Sequence, residues 1–487
     1  MDEGLRQIIA MLTVAMAVAM VARRLKLPYT VGLVLVGALL AFSRTEVGPA
    51  LTTELIFDLI LPPLLFEAAL ALHWRDLRRD LLPILILSSL GTVIAMAIIA
   101  TGMIFLFHWP APSALVFGAL ISATDPVAII AMFKDNKIHG RLRLLVESES
   151  LFNDGAAAVL FALALAWAAA SDHAPSAVDM SITLVRMVAG GIGVGAGLGG
   201  AAILFARGTP EHLVEVTLTT IAAFASFLVA ERLHVSGVLA TVTAGLIMGN
   251  LGAATPRGRL FISARGREAV TTFWEFAAFL ANSVVFLLIG ANVANMPYHA
   301  YGPGVLVGAI AMTLVGRALT VYPLSLAFRG SRWAISTAEQ HVLWWGGLRG
   351  ALGLALALSL PAELPLRNEI VVVTFGVVAF SIIVQGLTMP LLLRWLGFLP
   401  TPVPSPRLRG ERVAPSYSPA ISAVCSRAAK TLPLKLTLSN CKPAFSAKAS
   451  ERSFNSPSSM LIPSSAWAAE TMRAAAPEYQ AQPPRPA

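Results

Sequence analysis

The sequence predicts an all-α polytopic membrane protein. Thirteen transmembrane helices form two inverted six-helix repeats, with helices 5 and 12 interrupted. Three observations predict this. The 487 residues are 56% hydrophobic and only 13% charged, where a soluble domain averages roughly 25% charged. Thirteen apolar windows approach or reach the ~20 residues that a helix needs to cross the hydrocarbon. Lysine and arginine concentrate on alternate loops between those windows. The two-residue alternation of a membrane barrel is absent.

In order, the windows are 5–22, 28–43, 53–72, 82–107, 111–133, 142–170, 179–206, 211–231, 235–250, 268–293, 303–328, 338–361 and 368–396. The first lacks a small-residue cleavage motif and leads into further spans, so it reads as a helix rather than a cleaved leader. The second and ninth are the shortest. Loops after odd-numbered windows hold seventeen Lys/Arg, among them Arg75, Arg78, Arg79, Lys134, Lys137, Arg207 and Arg257. Loops after even-numbered windows hold three: Arg44, Arg232 and Arg367. By the positive-inside rule the amino terminus lies outside and the carboxyl terminus in the cytoplasm. The seventh window separates windows 1–6 from 8–13 and so inverts the second unit. Its glycine-rich run, "AGGIGVGAGLGG", reads as close helix packing. It follows no strand, so no nucleotide loop is inferred.

Residues 1–400 thus form the membrane domain. Beyond Pro400 the composition turns to Pro, Ser and Ala without periodicity, which reads as a disordered cytoplasmic tail over 401–487. That tail carries eleven Lys/Arg and four Asp/Glu, hence seven of the nine net positive charges. The basic balance describes the tail and gives no ground for nucleic-acid binding. Both cysteines, Cys425 and Cys441, lie there too. The membrane domain therefore has neither a disulfide framework nor a thiolate metal site.

A charge at mid-bilayer costs at least about 2.5–3.5 kcal/mol, so such residues need partners or a task. Four of them reach nearly one plane. At about 1.5 Å per helical residue, Asp154 lies about 18 Å from the cytoplasmic face, Asp125 about 14 Å, Arg349 about 16 Å and Arg317 about 18 Å. Glu67 is shallower, about 9 Å in. On the sixth span Ser150 and Asp154 are four apart and share a face, while Glu149 and Asn153 share the next. The first face can present Ser150 and Asp154 to a cavity while Glu149 turns to another helix. Two of the charged positions sit on helix-breaking sequence. Pro126 follows Asp125 in "ISATDPVAII", and three glycines surround Arg349 in "GGLRG". Interrupted helices at membrane depth are tolerated where the freed backbone is buried in protein or lines a cavity. Corresponding breaks in inverted halves point to a transporter site. Taken singly, a proline marks a kink and a glycine pair marks close packing. Their coincidence with the charges points to an ion site.

The motifs "LPPLLFEAAL", "ATDPVAI", "ESLFNDG", "GGLRGA" and "VQGLT" (Val384–Thr388) resemble the sodium/proton exchanger family, in its bacterial NhaP-like branch. The resemblance spans about residues 5–396. It implies a homodimer of thirteen-helix protomers in the inner (cytoplasmic) membrane, each with a dimerisation domain and a six-helix core. It implies that Asn153-Asp154 is the family's Asn-Asp pair, with Asp154 the ion- and proton-binding carboxylate. Thr124 and Asp125 would lie on the unwound helix beside it, and Ser150 would help hold the ion. Na+ would thus sit among Asp154, Asp125, Ser150 and Thr124. Glu67 would act near the cytoplasmic funnel. Glu149, Arg317 and Arg349 would serve structural ion pairs, Glu149 with Arg317 and Arg349 near Asp125.

The charge count agrees. Asp125, Glu149 and Asp154 face Arg317 and Arg349, which leaves one negative charge for one proton or one monovalent cation. Oxygen donors suit a hard cation, and thiolate or imidazole sites are missing. The expectation is electroneutral exchange of one Na+ (or Li+) for one H+ by alternating access, with no cofactor and no enzymatic activity. K+/H+ exchange is the alternative. An aspartyl protease would need a Gly-x-Gly-Asp signature, which is missing, and a cation channel would differ by its uncoupled flux. His341, beside "WWGG", reads as interfacial packing.

Overall fold

The computed structural model describes residues 2–25, 28–43, 51–169, 176–206, 211–251 and 264–399. The expected tail at 401–487 lies outside the described residues, as do the loop positions Lys26, Arg44, Arg207, Arg257 and Arg259. Every element among the described residues is helical. Eight of those helices are long and apolar enough to cross a membrane, among them Arg141–Ala169, His212–Arg232 and Pro303–Ala327. Shorter apolar helices cover Ile9–Ala22, Tyr29–Phe42 and Gly237–Asn250.

Small residues set the closest approaches, because no solvent-driven burial holds helices together in lipid. Gly191, Gly195 and Gly199 recur every fourth residue along Ala177–Ala206 and press against Ser236, just before the helix Gly237–Leu251, and against Ala240 and Ala244 within it. The glycine-rich run is therefore a packing stripe. Gly37 and Gly290 do the same reciprocally. Each lets its own helix touch the backbone of the other, at Leu287 and Val34.

The boundary that differs most from the sequence reading is the start of the fourth span. The span expected to begin at 82 starts at Trp74 and continues to Phe107, so Arg75, Arg78 and Arg79 lie on helix rather than in a loop. Leu77 and Ile84 are buried beneath this amphipathic stretch while the arginines are exposed. Pro83 lies inside it and cannot donate to the carbonyl four residues back. The chain kinks at Asp80 (φ −113°, ψ 17°), and the freed Arg79 carbonyl accepts the Trp333 indole N–H at 2.9 Å.

Two helices are broken. The first consists of Ala111–Ser122 and Val127–Asp135, separated by Ala123–Pro126 in extended and turn backbone. The second consists of Thr337–Trp345 and Ala351–Leu358, separated by residues 346–350. The breaks meet: the Asp125 amide donates to the Leu348 carbonyl at 2.8 Å. A buried apolar core including Phe117, Leu120, Leu352 and Leu356 surrounds the crossing. The VQGLT motif braces it from outside. Gln385 Nε2 donates to the Trp345 carbonyl (2.9 Å), and Thr388 Oγ1 accepts the Trp345 indole N–H (2.9 Å).

Candidate functional site

Backbone unwinding leaves donors and acceptors that something must satisfy. Here charged side chains do so, each at the helix end of opposite polarity. Asp125 lies at two half-helix N-termini. Its Oδ1 accepts from the Val127 amide at 2.9 Å, and its carboxylate also receives the Ala351 amide. Arg349 lies at a C-terminus, where Nη1 donates to the Ser122 and Ala123 carbonyls at 2.9 and 3.0 Å. Its own amide donates to Ser381 Oγ at 3.0 Å. Gly350 makes room for this, since a Cβ there would overlap the Asp125 carboxylate. Its φ of −138° is open to any residue, so the constraint is space alone.

Behind the breaks lies a bidentate ion pair. Arg317 Nη1 and Nη2 donate to the two Glu149 carboxylate oxygens at 2.7 and 2.8 Å, with both side chains buried. Arg317 also donates to the Leu343 carbonyl, and Gly347 leaves the space its guanidinium fills. Asn153 ties the acid-bearing helix to the unwound chain. Its Nδ2 donates to the Ser122 carbonyl (3.1 Å) and Thr124 Oγ1 (3.0 Å), and its Oδ1 accepts from Thr92 Oγ1 (2.5 Å).

Asp154 is what remains. Its carboxylate receives the Thr124 amide, while Oδ1 is shielded and has no hydrogen-bond partner. It lines a cavity of about 470 Å³ together with Thr124, Asp125, Glu67, Glu147 and Gly350. At the mouth Lys134 pairs with Glu275 at 3.8 Å, both about half exposed (48% and 58%).

Two expectations are corrected. Ser150 does not share the cavity with Asp154: its hydroxyl donates to the Thr124 carbonyl at 2.6 Å and accepts from Thr124 Oγ1 at 3.1 Å. The extended break passes close to that face of the helix and captures the hydroxyl. Arg349 was expected in an ion pair. Among the described residues it bonds to carbonyls instead, because a helix C-terminus offers the nearest partial negative charge. The reading by charge missed Thr92 and Ser381, which are small neutral residues with no signal of their own. His341 packs with Tyr322, its Nδ1 2.7 Å from the tyrosine hydroxyl.

Broken helices crossing around one acid that the fold leaves uncompensated define a class, the secondary transporters. The chain belongs to the sodium/hydrogen exchanger family: the family model described as "Sodium/hydrogen exchanger, transmembrane" matches residues 9–395. It is thus a multi-pass membrane transporter rather than an enzyme, and its substrates are ions. The Na(+)/H(+) antiporter ApNhaP of Aphanothece halophytica is 39% identical over 402 residues, covering 82% of this chain and 76% of that protein. The Na(+)/H(+) antiporter NhaH of Halobacillus dabanensis is 34% identical, covering 81% and 98%. The solved structure of the sodium proton antiporter MjNhaP1 from Methanocaldococcus jannaschii is 22% identical with a TM-score of 0.63. It covers 81% of this chain and 99% of that one, a likeness of fold.

Proposed function

We propose that this protein exchanges Na+ (or Li+) for H+, one for one, by competition of the two ions for Asp154. The observation that carries the reading is the Asp154 carboxylate, which lines the cavity with one oxygen left without a hydrogen-bond partner. Asp125 is matched by two helix N-termini, Arg349 by carbonyls, and Glu149 by Arg317. One negative charge is left, and one monovalent cation or one proton neutralises it. The neutralised site moves between the two faces of the membrane, whereas the empty anionic site does not. Thr124, Asp125 and Glu67 share the cavity with Asp154 and supply further oxygens. Ser150 and Asn153 hold the unwound chain in place. The relatives named as Na+/H+ antiporters support sodium over potassium.

The architecture that goes with this reading has thirteen crossings in two inverted repeats, with the amino terminus outside and the carboxyl terminus in the cytoplasm. Support comes from eight long helices, three shorter apolar ones, the Leu55–Ala71 stretch and the second broken helix. The protein would work as a homodimer in the cell membrane, with 1–400 as transport domain and 401–487 as cytoplasmic tail.

The test is a pH-sensitive dye in proteoliposomes, with Na+, Li+ and K+ added in turn. Sodium and lithium are expected to move protons at a rate that does not depend on membrane voltage. A voltage-dependent stoichiometry would refute one-for-one exchange, and a response to K+ alone would replace sodium with potassium.

A further inference from the structure

A cation entering the cavity sheds water, and oxygens must take its place. The wall formed by the broken helices and the acid-bearing helix supplies Asp154, Asp125 and Thr124. The helices Leu61–Ala71 and Ala264–Asn295 supply the rest of the lining, which is mostly apolar, with Leu61, Leu64 and Phe279, and carries Glu67 as its deep acid. Tyr29 also lines it, but its hydroxyl is held by Ser283 at 2.8 Å. One neutral polar side chain there stands out. Asn282 is 8% exposed, lines the cavity, and has an Oδ1 that is buried without a hydrogen-bond partner. Among the described residues, Asp154 and Asn282 are the two cavity-lining side chains with such an oxygen. Asn282 also lies deep. It is seven residues beyond the mouth residue Glu275 on the same helix, about 10 Å further along the axis.

Three other asparagines, in a helix or capping one, show how this amide is satisfied. Asn136, Asn250 and Asn292 each donate Nδ2 to the carbonyl four residues back, all at 2.9 Å. At Asn282 no such bond forms, and the buried Oδ1 meets no donor. Turning the amide over would let Nδ2 donate to the carbonyl four residues back, as in the other asparagines, and leave Oδ1 to the cavity that Asn282 lines.

We infer that Asn282 is a specificity-determining residue, whose side-chain oxygen contributes to the shell of the entering cation from the Ala264–Asn295 side of the cavity. The bound ion is then gripped from both walls, directly or through one water. A small, strongly hydrated cation gains most from that second grip, so Asn282 sets the preference among Na+, Li+ and K+. The inference rests on the Asp154 reading.

Two variants test it in proteoliposomes, beside wild type and Asp154→Asn. Asn282→Leu keeps the volume and removes the oxygen. It is expected to raise KM for Na+ about tenfold, the size of one lost bond to a charged group. The maximal rate should stay within about twofold, the Na+:K+ ratio should fall, and the melting temperature should hold. Asn282→Asp keeps an oxygen and adds charge, and KM for Na+ should drop below wild type. If KM and the cation ratio stay unchanged in both variants, Asn282 is only part of the wall and the inference is overturned. If Asn282→Leu does not fold, the KM of Asn282→Asp decides alone. Exchange that survives in Asp154→Asn overturns the underlying reading instead, whatever the result at 282.

Discussion

Asp154 differs from every other acid at its depth in what surrounds it. Asp125 and Glu149 already hold donors that match their charge, so neutralising either gains nothing for transport. Asp154→Asn is therefore expected to abolish Na+-driven pH change while the protein still assembles and elutes normally. Residual sodium-dependent dequenching would contradict that role. Competition for one carboxylate also fixes a pH dependence. Protons fill the site as pH falls, so KM for Na+ should rise on the acid side while the rate at saturating Na+ holds. A falling saturated rate at constant KM would mean separate sites for the two ions. Arg317 belongs to stability instead. Its removal leaves Glu149 buried and unpaired, a loss of about 3–5 kcal/mol. Arg317→Ala should lower the melting temperature in detergent more than it changes KM, and an unchanged melting temperature would count against the pair.

At the scale of elements, the site exists because two helices break at the same place. Each break frees N–H and C=O groups, and each is closed by a side chain of the other polarity, Asp125 on the amides and Arg349 on the carbonyls. That exchange needs the backbone at Gly350 to pass against the Asp125 carboxylate. Gly350→Ala pushes the carboxylate off its amides and is expected to slow exchange at least about tenfold without blocking membrane insertion. Near-normal exchange in that variant would show that the crossing tolerates a methyl group and that its close fit is incidental. The Gln385 and Thr388 contacts to Trp345 fix the first half of the second broken helix from outside. This gives the VQGLT motif a bracing role.

At the scale of the molecule, the alternating basic loops predict which ends of the helices share a side. With Cys425 and Cys441 replaced by serine, Lys137→Cys should react with an impermeant thiol reagent only after the cells are opened. His299→Cys should react in intact cells. The reverse pattern would invert the proposed topology. The glycine stripe at 191, 195 and 199 and the Gly37–Gly290 crossing hold backbones against backbones, and they tell against a reading of the glycine-rich run as a ligand loop.

How much of this the sequence held depends on the kind of force involved. Hydropathy and helix-breaking residues act locally. The helical class, most helix ends and both interruptions could thus be read from order alone. The start at Trp74 was missed because an amphipathic, arginine-rich turn lacks the apolar signal, and what anchors it is a tertiary bond from Trp333. Partnership is non-local and was decided by the fold. The sequence could count two arginines against three acids. Only the tertiary structure determined that Arg349 serves carbonyls, that Ser150 is captured by Thr124, and that Asn282 lines the same cavity as Asp154. A charge is written in one residue, whereas its compensation depends on which backbone ends the packing brings within about 3 Å.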